Sequence, residues 1–443
     1  MSQNIEFPLP EDFINRIRSQ LSDYDIFQQS VDQEAGTSIR LNPTKIKKDE
    51  DEVYSEKVPW NNLGRYLESR PKFSQDPLYH AGLYYPMEAS SMFLDYALKQ
   101  IKLVPDALML DLCAAPGGKS LILKDSYPEQ FLLSNEIDSK RVHVLKENAI
   151  RWGTKNHLVI QSDAARLQKS DLKFDLIVVD APCSGEGLFR KDKKSRTEWS
   201  LEKATGCAMR QQDILEDTLP LLAADGWLIY STCTFNPEEN LERVQQLMDA
   251  GLEIQEIPID DQWGIEKVTK GEALGYQFWP HKVHGEGFFI SILKATGEPE
   301  EKVLETPRIK NERFDHLKDL NLEDLIVQKA DKAYMGLTIT ELEVAHALKK
   351  CGNIVKRGIM LGEEKGKDFI PAHDLSSQDF IKDFPNQLEL SIEQSLEYLK
   401  GNALPITHTK GPVLLTYQGL GIGFGKSIGN RINNLLPKHL RIF

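Results

Sequence analysis

The segment Leu108-Met109-Leu110-Asp111-Leu112-Cys113-Ala114-Ala115-Pro116-Gly117-Gly118-Lys119 decides the architecture. Its first half is an apolar run of the length of a buried strand, and its second half is small residues and glycines that end that strand. A helix comes next, so the unit is strand, tight loop, helix. Outward from it the pattern repeats. Phe131–Ser134, Leu158–Gln161, Leu176–Val179 and Trp227–Tyr230 read as buried strands, with amphipathic stretches at Lys140–Arg151, Leu201–Leu222 and Pro237–Ala250 between and after them. Such alternation predicts βαβ units and a mostly parallel sheet with helices on both faces. This core is expected over residues 76–295. Residues 1–75 form a small α/β preface, with a helix near Glu11–Leu21, a strand near Ser38–Leu41 and a charged loop over residues 45–57. Residues 296–310 are charged, contain two prolines and read as a linker. Residues 311–443 form a separate C-terminal region, which begins helical and ends in the Gly-rich, strand-like stretch 411–430.

A chain of 443 residues exceeds one core, so several domains are expected. No apolar run is long enough to span a membrane, and the start MSQNIEFPLPEDF lacks the basic and apolar parts of a secretory signal. A cytoplasmic, membrane-free monomer is the expectation. Cys113, Cys183, Cys207, Cys233 and Cys351 are odd in number and include no CxxC pair, which argues against a disulfide framework and a zinc site. No metal is expected. The net charge of −13 disfavours a general nucleic-acid binder. The distribution points the other way. From Leu399 to the end there is no acid, but there are Lys400, Lys410, Lys426, Arg431, Lys438 and Arg441, and a second basic cluster runs from Arg190 to Arg196.

The loop Cys113–Lys119 lets a ligand approach the backbone closely, and the helix after it adds partial positive charge. Gly118-Lys119-Ser120 resembles the end of a P-loop, but the glycine that such a loop needs at position 113 is Cys113. The dinucleotide GxGxxG spacing is also missing. Asn135-Glu136 ends the next strand, where an acid binds ribose hydroxyls in doubly wound folds. Cys113, Ala114, Ala115, Pro116, Gly117, Gly118, Lys119 and Glu136 together favour S-adenosyl-L-methionine as cofactor. Asp163, after the third strand, reads either as a residue near the adenine or as a helix N-cap.

Two thiols lie just past carboxyl ends of strands, in Asp180-Ala181-Pro182-Cys183-Ser184-Gly185-Glu186-Gly187 and Ser231-Thr232-Cys233-Thr234. Parallel sheets bind ligands at those ends. Cytosine carbon 5 is too weak a nucleophile to attack a methylsulfonium unaided. A thiolate that adds at carbon 6 makes carbon 5 enamine-like, and the carbon-5 proton must later leave. Asp180 and the two cysteines are suitable residue types. Asp180-Ala181-Pro182-Cys183 differs from the Asp/Asn-Pro-Pro-aromatic motif of amino-nitrogen methyltransferases. Chemistry alone does not choose which cysteine attacks.

The combination CAAPGGK, NEIDSKR, DAPCSGEG and STCTFNPEEN resembles the RNA 5-methylcytosine methyltransferase family, NOL/NOP/Sun. Arg40-Leu41-Asn42-Pro43-Thr44-Lys45, the run from His80 through Ser91, and Trp279-Pro280-His281 with Gly285-Glu286-Gly287-Phe288-Phe289 extend the likeness, with Met87 in place of the usual glutamine. The stretch Gly423–Lys438 resembles the PUA-like module of bacterial small-subunit rRNA members, the RsmF-like group. The resemblance implies a Rossmann-like class I methyltransferase core, an α/β N-terminal RNA-binding domain and a C-terminal PUA-like RNA-binding region. It implies Cys233 as nucleophile, Cys183 as the thiol that helps release product, Asp180 at the cytosine ring and methyl donor, and Lys119 ordering the site. Cys113 would be structural, and Cys207 and Cys351 plain packing. RNA is the expected partner, with 16S rRNA or the small ribosomal subunit favoured. A tRNA enzyme and an inactive ribosome-assembly factor are the competing expectations. Truncation near residue 310 is expected to weaken RNA binding and leave cofactor affinity intact.

Overall fold

The computed structural model describes residues 7–46, 56–298, 304–309, 312, 314 and 316–442. Most of the expected charged loop 45–57 and part of the expected linker 296–310 lie outside the described residues.

The helix Glu11–Gln20 has acids in its first turn and Arg18 in its last, as the helix dipole favours, and buries Phe13 and Ile17. It and the helix Tyr24–Asp32 do not pack on a sheet of their own. They close over loops of the core, where Phe13 meets Phe189 at 5.0 Å and Phe27 meets Trp279 at 5.8 Å, edge to face. Strands β1 (Thr37–Leu41), β2 (Glu56–Val58), β3 (Asn61–Leu67) and β4 (Tyr84–Pro86) form an antiparallel sheet in the order β2-β3-β1-β4. The sheet is completed only by β4, so a boundary at residue 75 would cut it.

The core strands are β5 (Leu108–Asp111), β6 (Phe131–Asn135), β7 (His157–Gln161), β8 (Phe174–Asp180) and β9 (Leu222–Thr232). They run parallel in the order β9-β8-β5-β6-β7, which brings β8 beside β9. The helices Gly118–Ser126, Arg141–Trp152, Leu201–Thr218 and Leu241–Asp249 accompany them. Beyond β9 the sheet turns antiparallel through β10 (Leu252–Ile254), β11 (Glu266–Lys270), β12 (Ala273–Phe278) and β13 (Phe288–Ala295). Sequence periodicity misses these four. β10 has only three residues, and β11, β12 and β13 have no α-helix between them, so the alternation that reveals the others stops there.

The C-terminal region departs from expectation. Among the described residues it does not begin helical: its first regular elements are the paired strands β14 (Ile326–Ala330) and β15 (Ala333–Leu337), turned at Asp331 with φ of 55°. The helix Ile339–Ala347 comes next, started by a capping box of Thr338 and Glu341. Then β16 (Asn353–Lys356) joins the core sheet as its edge, antiparallel to β7. Among the described residues that sheet has ten strands, and one belongs to the region expected to be separate. The Gly-rich stretch forms the hairpin Gly411–Tyr417 and Leu420–Ser427. No helix among the described residues is long and apolar enough to cross a membrane.

Candidate active site

The loop after β5 is held from several sides. The Ala114 amide donates to Asn135 O at 2.8 Å, Asn148 Nδ2 donates to Pro116 O at 2.7 Å, and Arg141 Nη2 donates to Ala115 O. The Ala115–Pro116 bond is cis, and Gly117 has φ of 118°, a conformation that other residues resist. Beneath the loop runs a buried polar chain. Ser120 Oγ donates to Asp111 Oδ2 at 2.6 Å and meets Ser134 Oγ at 2.8 Å, which meets His157 Nε2 at 2.8 Å. Burial pushes the Asp111 carboxyl up to about 7, and its Oδ1 has no hydrogen-bond partner among the described residues. Asp111 is not among the expected site residues; its signal is an acid inside an apolar strand.

Glu136 stands at the end of β6 with its side chain 4% exposed. Oε1 accepts from the Asp138 amide at 3.0 Å, while Oε2 is buried without a hydrogen bond, 3.4 Å from Arg141 Nη1. Asp163 caps the helix Ala164–Leu167, accepting from the Arg166 amide at 2.7 Å. The capping role is therefore real, yet the side chain remains 43% exposed and borders a cavity of about 460 Å³ shared with Ile137 and Asn353. Asp111, Glu136, Asp163 and Asp180 thus mark four strand ends in turn. A buried carboxylate oxygen at Glu136 with no hydrogen bond among the described residues, beside a loop of tightly held backbone, fits a ligand with ribose hydroxyls, and the acids suit its cationic sulfonium and ammonium. S-adenosylmethionine fits this donor set. Two other cavities, about 650 and 820 Å³, include Leu108 and Asp175 at the amino ends of strands and contain none of these residues.

Asp180, at the end of β8, pairs with Lys119 Nζ at 2.8 Å and accepts from Ser231 Oγ at 2.8 Å. The Lys119 ammonium also lies 5.1 Å from the Phe288 ring centre. One contact thus ties the loop after β5 to the end of the neighbouring strand. The adjacency of β8 and β9 brings Cys183 Sγ and Cys233 Sγ to 2.9 Å, and the Cys233 amide approaches Cys183 Sγ at 3.3 Å. The hydrogen bond shared with Cys233, and then burial, push the Cys183 thiol well up. Burial likewise raises the Cys113 thiol.

Three carboxylates that lie in the quoted motifs, but to which the sequence alone assigns no role, hold these loops. Glu239 accepts from the Ser184 amide at 2.8 Å and from Gln211 at 3.0 Å. Glu186 accepts from Arg16, Trp199 Nε1 and the Phe235 amide. Glu286 takes Arg190 Nε at 3.0 Å. Gly187 donates to Cys233 O at 2.8 Å, and a Cβ on it would come within 2.3 Å of Gly287 O. The basic cluster loses much of its apparent RNA-facing character here. Arg190 is buried on Glu286, and Arg196 is buried on Asp32 and the Val31 carbonyl.

Residues 99–294 match the family described as 16S rRNA methyltransferase RsmB/F, residues 9–89 the N-terminal domain of 16S rRNA methyltransferase RsmF, and residues 385–442 the methyltransferase RsmF PUA domain. The chain is 30% identical to ribosomal RNA small subunit methyltransferase F of Aliivibrio fischeri, over 98% of this chain and 97% of that one. It is 30% identical to the protein of the same name from Psychromonas ingrahamii, over 91% of this chain and 90% of that one. Among solved structures, a methyltransferase homologue from Pyrococcus horikoshii matches with a TM-score of 0.53 and 25% identity, over 62% of this chain and 91% of that one. NSun6 from the same organism, solved with SFG, matches with a TM-score of 0.56 and 19% identity, over 65% of this chain and 99% of that one.

Proposed function

Because the chain belongs to the RsmB/RsmF family of S-adenosylmethionine-dependent rRNA methyltransferases, we propose that it methylates carbon 5 of a cytosine in 16S rRNA, with Cys233 as nucleophile. The observation that carries this reading is the pair of thiols 2.9 Å apart on neighbouring strand ends, next to the Asp180–Lys119 contact with the cofactor loop. The setting proposed is the cytoplasm, with the chemistry in the core over about residues 76–295 and RNA engaged by the flanking regions.

S-adenosylmethionine supplies an electrophilic methyl group, and Cys113–Lys119, Glu136 and Asp163 would hold it. Cys233 thiolate adds to carbon 6 of the ring, forming the S–C bond and moving the double-bond pair to carbon 5. Carbon 5, now nucleophilic, would take the methyl group, the methyl–sulfur bond breaking with its pair left on sulfur as a neutral thioether. Asp180 holds the ring and Lys119 orders Asp180. Cys183 remains a thiol during the addition, since its largest restraint on ionising is the hydrogen bond with Cys233. That restraint disappears once the Cys233 sulfur is bonded to carbon. Cys183 then releases its proton to solvent and, as a thiolate, takes the carbon-5 proton. The freed pair restores the ring double bond and expels Cys233 as thiolate.

A denaturing gel of each variant incubated with 16S rRNA and S-adenosylmethionine tests the assignment. Cys183→Ala should accumulate a slow protein–RNA band, and Cys233→Ala and the double variant should show none. The reverse pattern would make Cys183 the nucleophile. No band and full activity in both single variants would remove cysteine catalysis.

A further inference from the structure

A cavity of about 750 Å³ opens where three parts of the chain meet. Tyr79 and Tyr85 come from the N-terminal part, Lys146 and Arg151 from the helix Arg141–Trp152, and His439 from the C-terminal module. Its volume lies within the range of about 300–1,000 Å³ usual for small-ligand sites. None of the catalytic groups lines it, but Pro116 of the cofactor loop does. The Tyr85 ring abuts that loop: a Cβ on Gly118 would lie 3.4 Å from it. The Arg151 guanidinium stacks 4.1 Å over the Tyr79 ring.

The charge here opposes that of the whole protein. Against a net −13, this junction gathers cations. Buried His373, beneath it, is pushed down to about 4, first by burial and then by repulsion from His80, His439, Arg151 and Lys45. The acid lining the cavity, Glu147, is paired with His439 at 3.3 Å. Among the described residues, neither Arg151 nor Lys146 has a carboxylate partner. Sequence-tolerant single-strand binding uses aromatic rings and guanidinium planes for bases and nearby cations for phosphates.

We propose that this cavity seats an unpaired nucleotide of the substrate RNA, with its base stacked on Tyr79 or Tyr85 and its phosphate on Arg151 and Lys146. It would fix the strand between the C-terminal module and the cofactor loop, so that the target cytosine reaches the thiols. The inference rests on the proposed RNA activity for its substrate, but its test reads binding.

Wild-type protein irradiated with 16S rRNA containing 5-bromouridine should give cross-linked peptides at Tyr79 or Tyr85. Tyr79→Ala should lower affinity for that RNA roughly five- to a hundred-fold. Lys146→Ala, which keeps every aromatic contact, should flatten the slope of log affinity against log salt by about 0.7. Both variants should bind S-adenosylmethionine like the wild type, which reports that they are folded. Cross-links confined to other surfaces, or unchanged RNA affinity and salt slope in both variants, would overturn the proposal. Those results with intact wild-type methylation would sink the cavity alone. Cross-links in the cavity without any methylation would uphold it while the proposed activity failed.

Discussion

Glu136 has one carboxylate oxygen engaged by the Asp138 amide and the other buried near the Arg141 guanidinium, with no hydrogen bond among the described residues. A buried acceptor left open in the protein costs free energy that a ligand hydroxyl recovers. Glu136→Ala should therefore weaken S-adenosylmethionine by about 1.5–3 kcal/mol, roughly ten- to a hundred-fold. Calorimetry showing unchanged affinity in a folded variant would remove Glu136 from the site. Asp111 makes a different prediction. Its folded carboxyl titrates near 7, against 3.8 for the free side chain, because burial disfavours its charge. A raised acid holds a proton that the unfolded chain has already released, so its contribution to stability is full below the unfolded value and is lost as pH rises towards the folded one. From about pH 4 to about pH 7, wild-type stability should fall relative to Asp111→Asn, by at most about 1.4 kcal/mol per pH unit. Urea midpoints across that window check it, and parallel curves would show that Asp111 ionises normally.

Strand β16 changes what a truncation means. The sequence suggests that residues after about 310 can be removed with cofactor affinity intact. The structure corrects this, because removal exposes the edge of β7 and leaves Ser162 Oγ without the Cys351 carbonyl that it contacts. It also strips Asn353 from the cavity that Asp163 borders. A chain ending at 310 should therefore lose S-adenosylmethionine affinity and thermal stability as well as RNA binding. Equal cofactor affinity by calorimetry in the truncated and full chains would restore the independent-region reading. The motif from Arg40 to Lys45 also acts between distant elements. Arg40 pairs with Asp125 and Asp95, and Lys45 donates to the carbonyls of Ala81 at 2.8 Å and Arg151 at 2.9 Å. It latches the N-terminal sheet to the core, and burial lowers the Lys45 ammonium to about 7.

For the molecule as a whole, the question is how a chain of net charge −13 holds RNA. Of the six cations after Leu399, Lys400 pairs with Glu397 at 2.7 Å and Lys426 with Asp368 at 2.6 Å. Lys410, Arg431 and Lys438 are exposed and have no ion pair among the described residues. Replacing these three by Ala should weaken RNA binding and flatten its salt dependence by about 2, since each released phosphate contact contributes roughly 0.7 for a single strand. Cofactor affinity should stay put, because these residues lie on the C-terminal module and not at the strand ends. An unchanged salt slope would move the RNA footprint off this face.

Local pattern determined much of this protein. Strand-loop-helix alternation identified the five parallel strands, because a buried parallel strand must be an apolar run and its crossover must be an amphipathic helix. The motif residues at the ends of those runs placed the loop Cys113–Lys119, Glu136, Asp180 and both cysteines at one edge of the sheet, since loops at carboxyl ends converge wherever such a sheet forms. The tertiary structure alone decided what depends on contacts between distant segments. It set the two thiols at 2.9 Å and assigned Arg190 and Arg196 to buried ion pairs. It also placed Asn353–Lys356 on the core sheet. A short edge strand and a paired arginine look the same in sequence as a loop and a free charge. Their partners lie far along the chain, where no local periodicity records them.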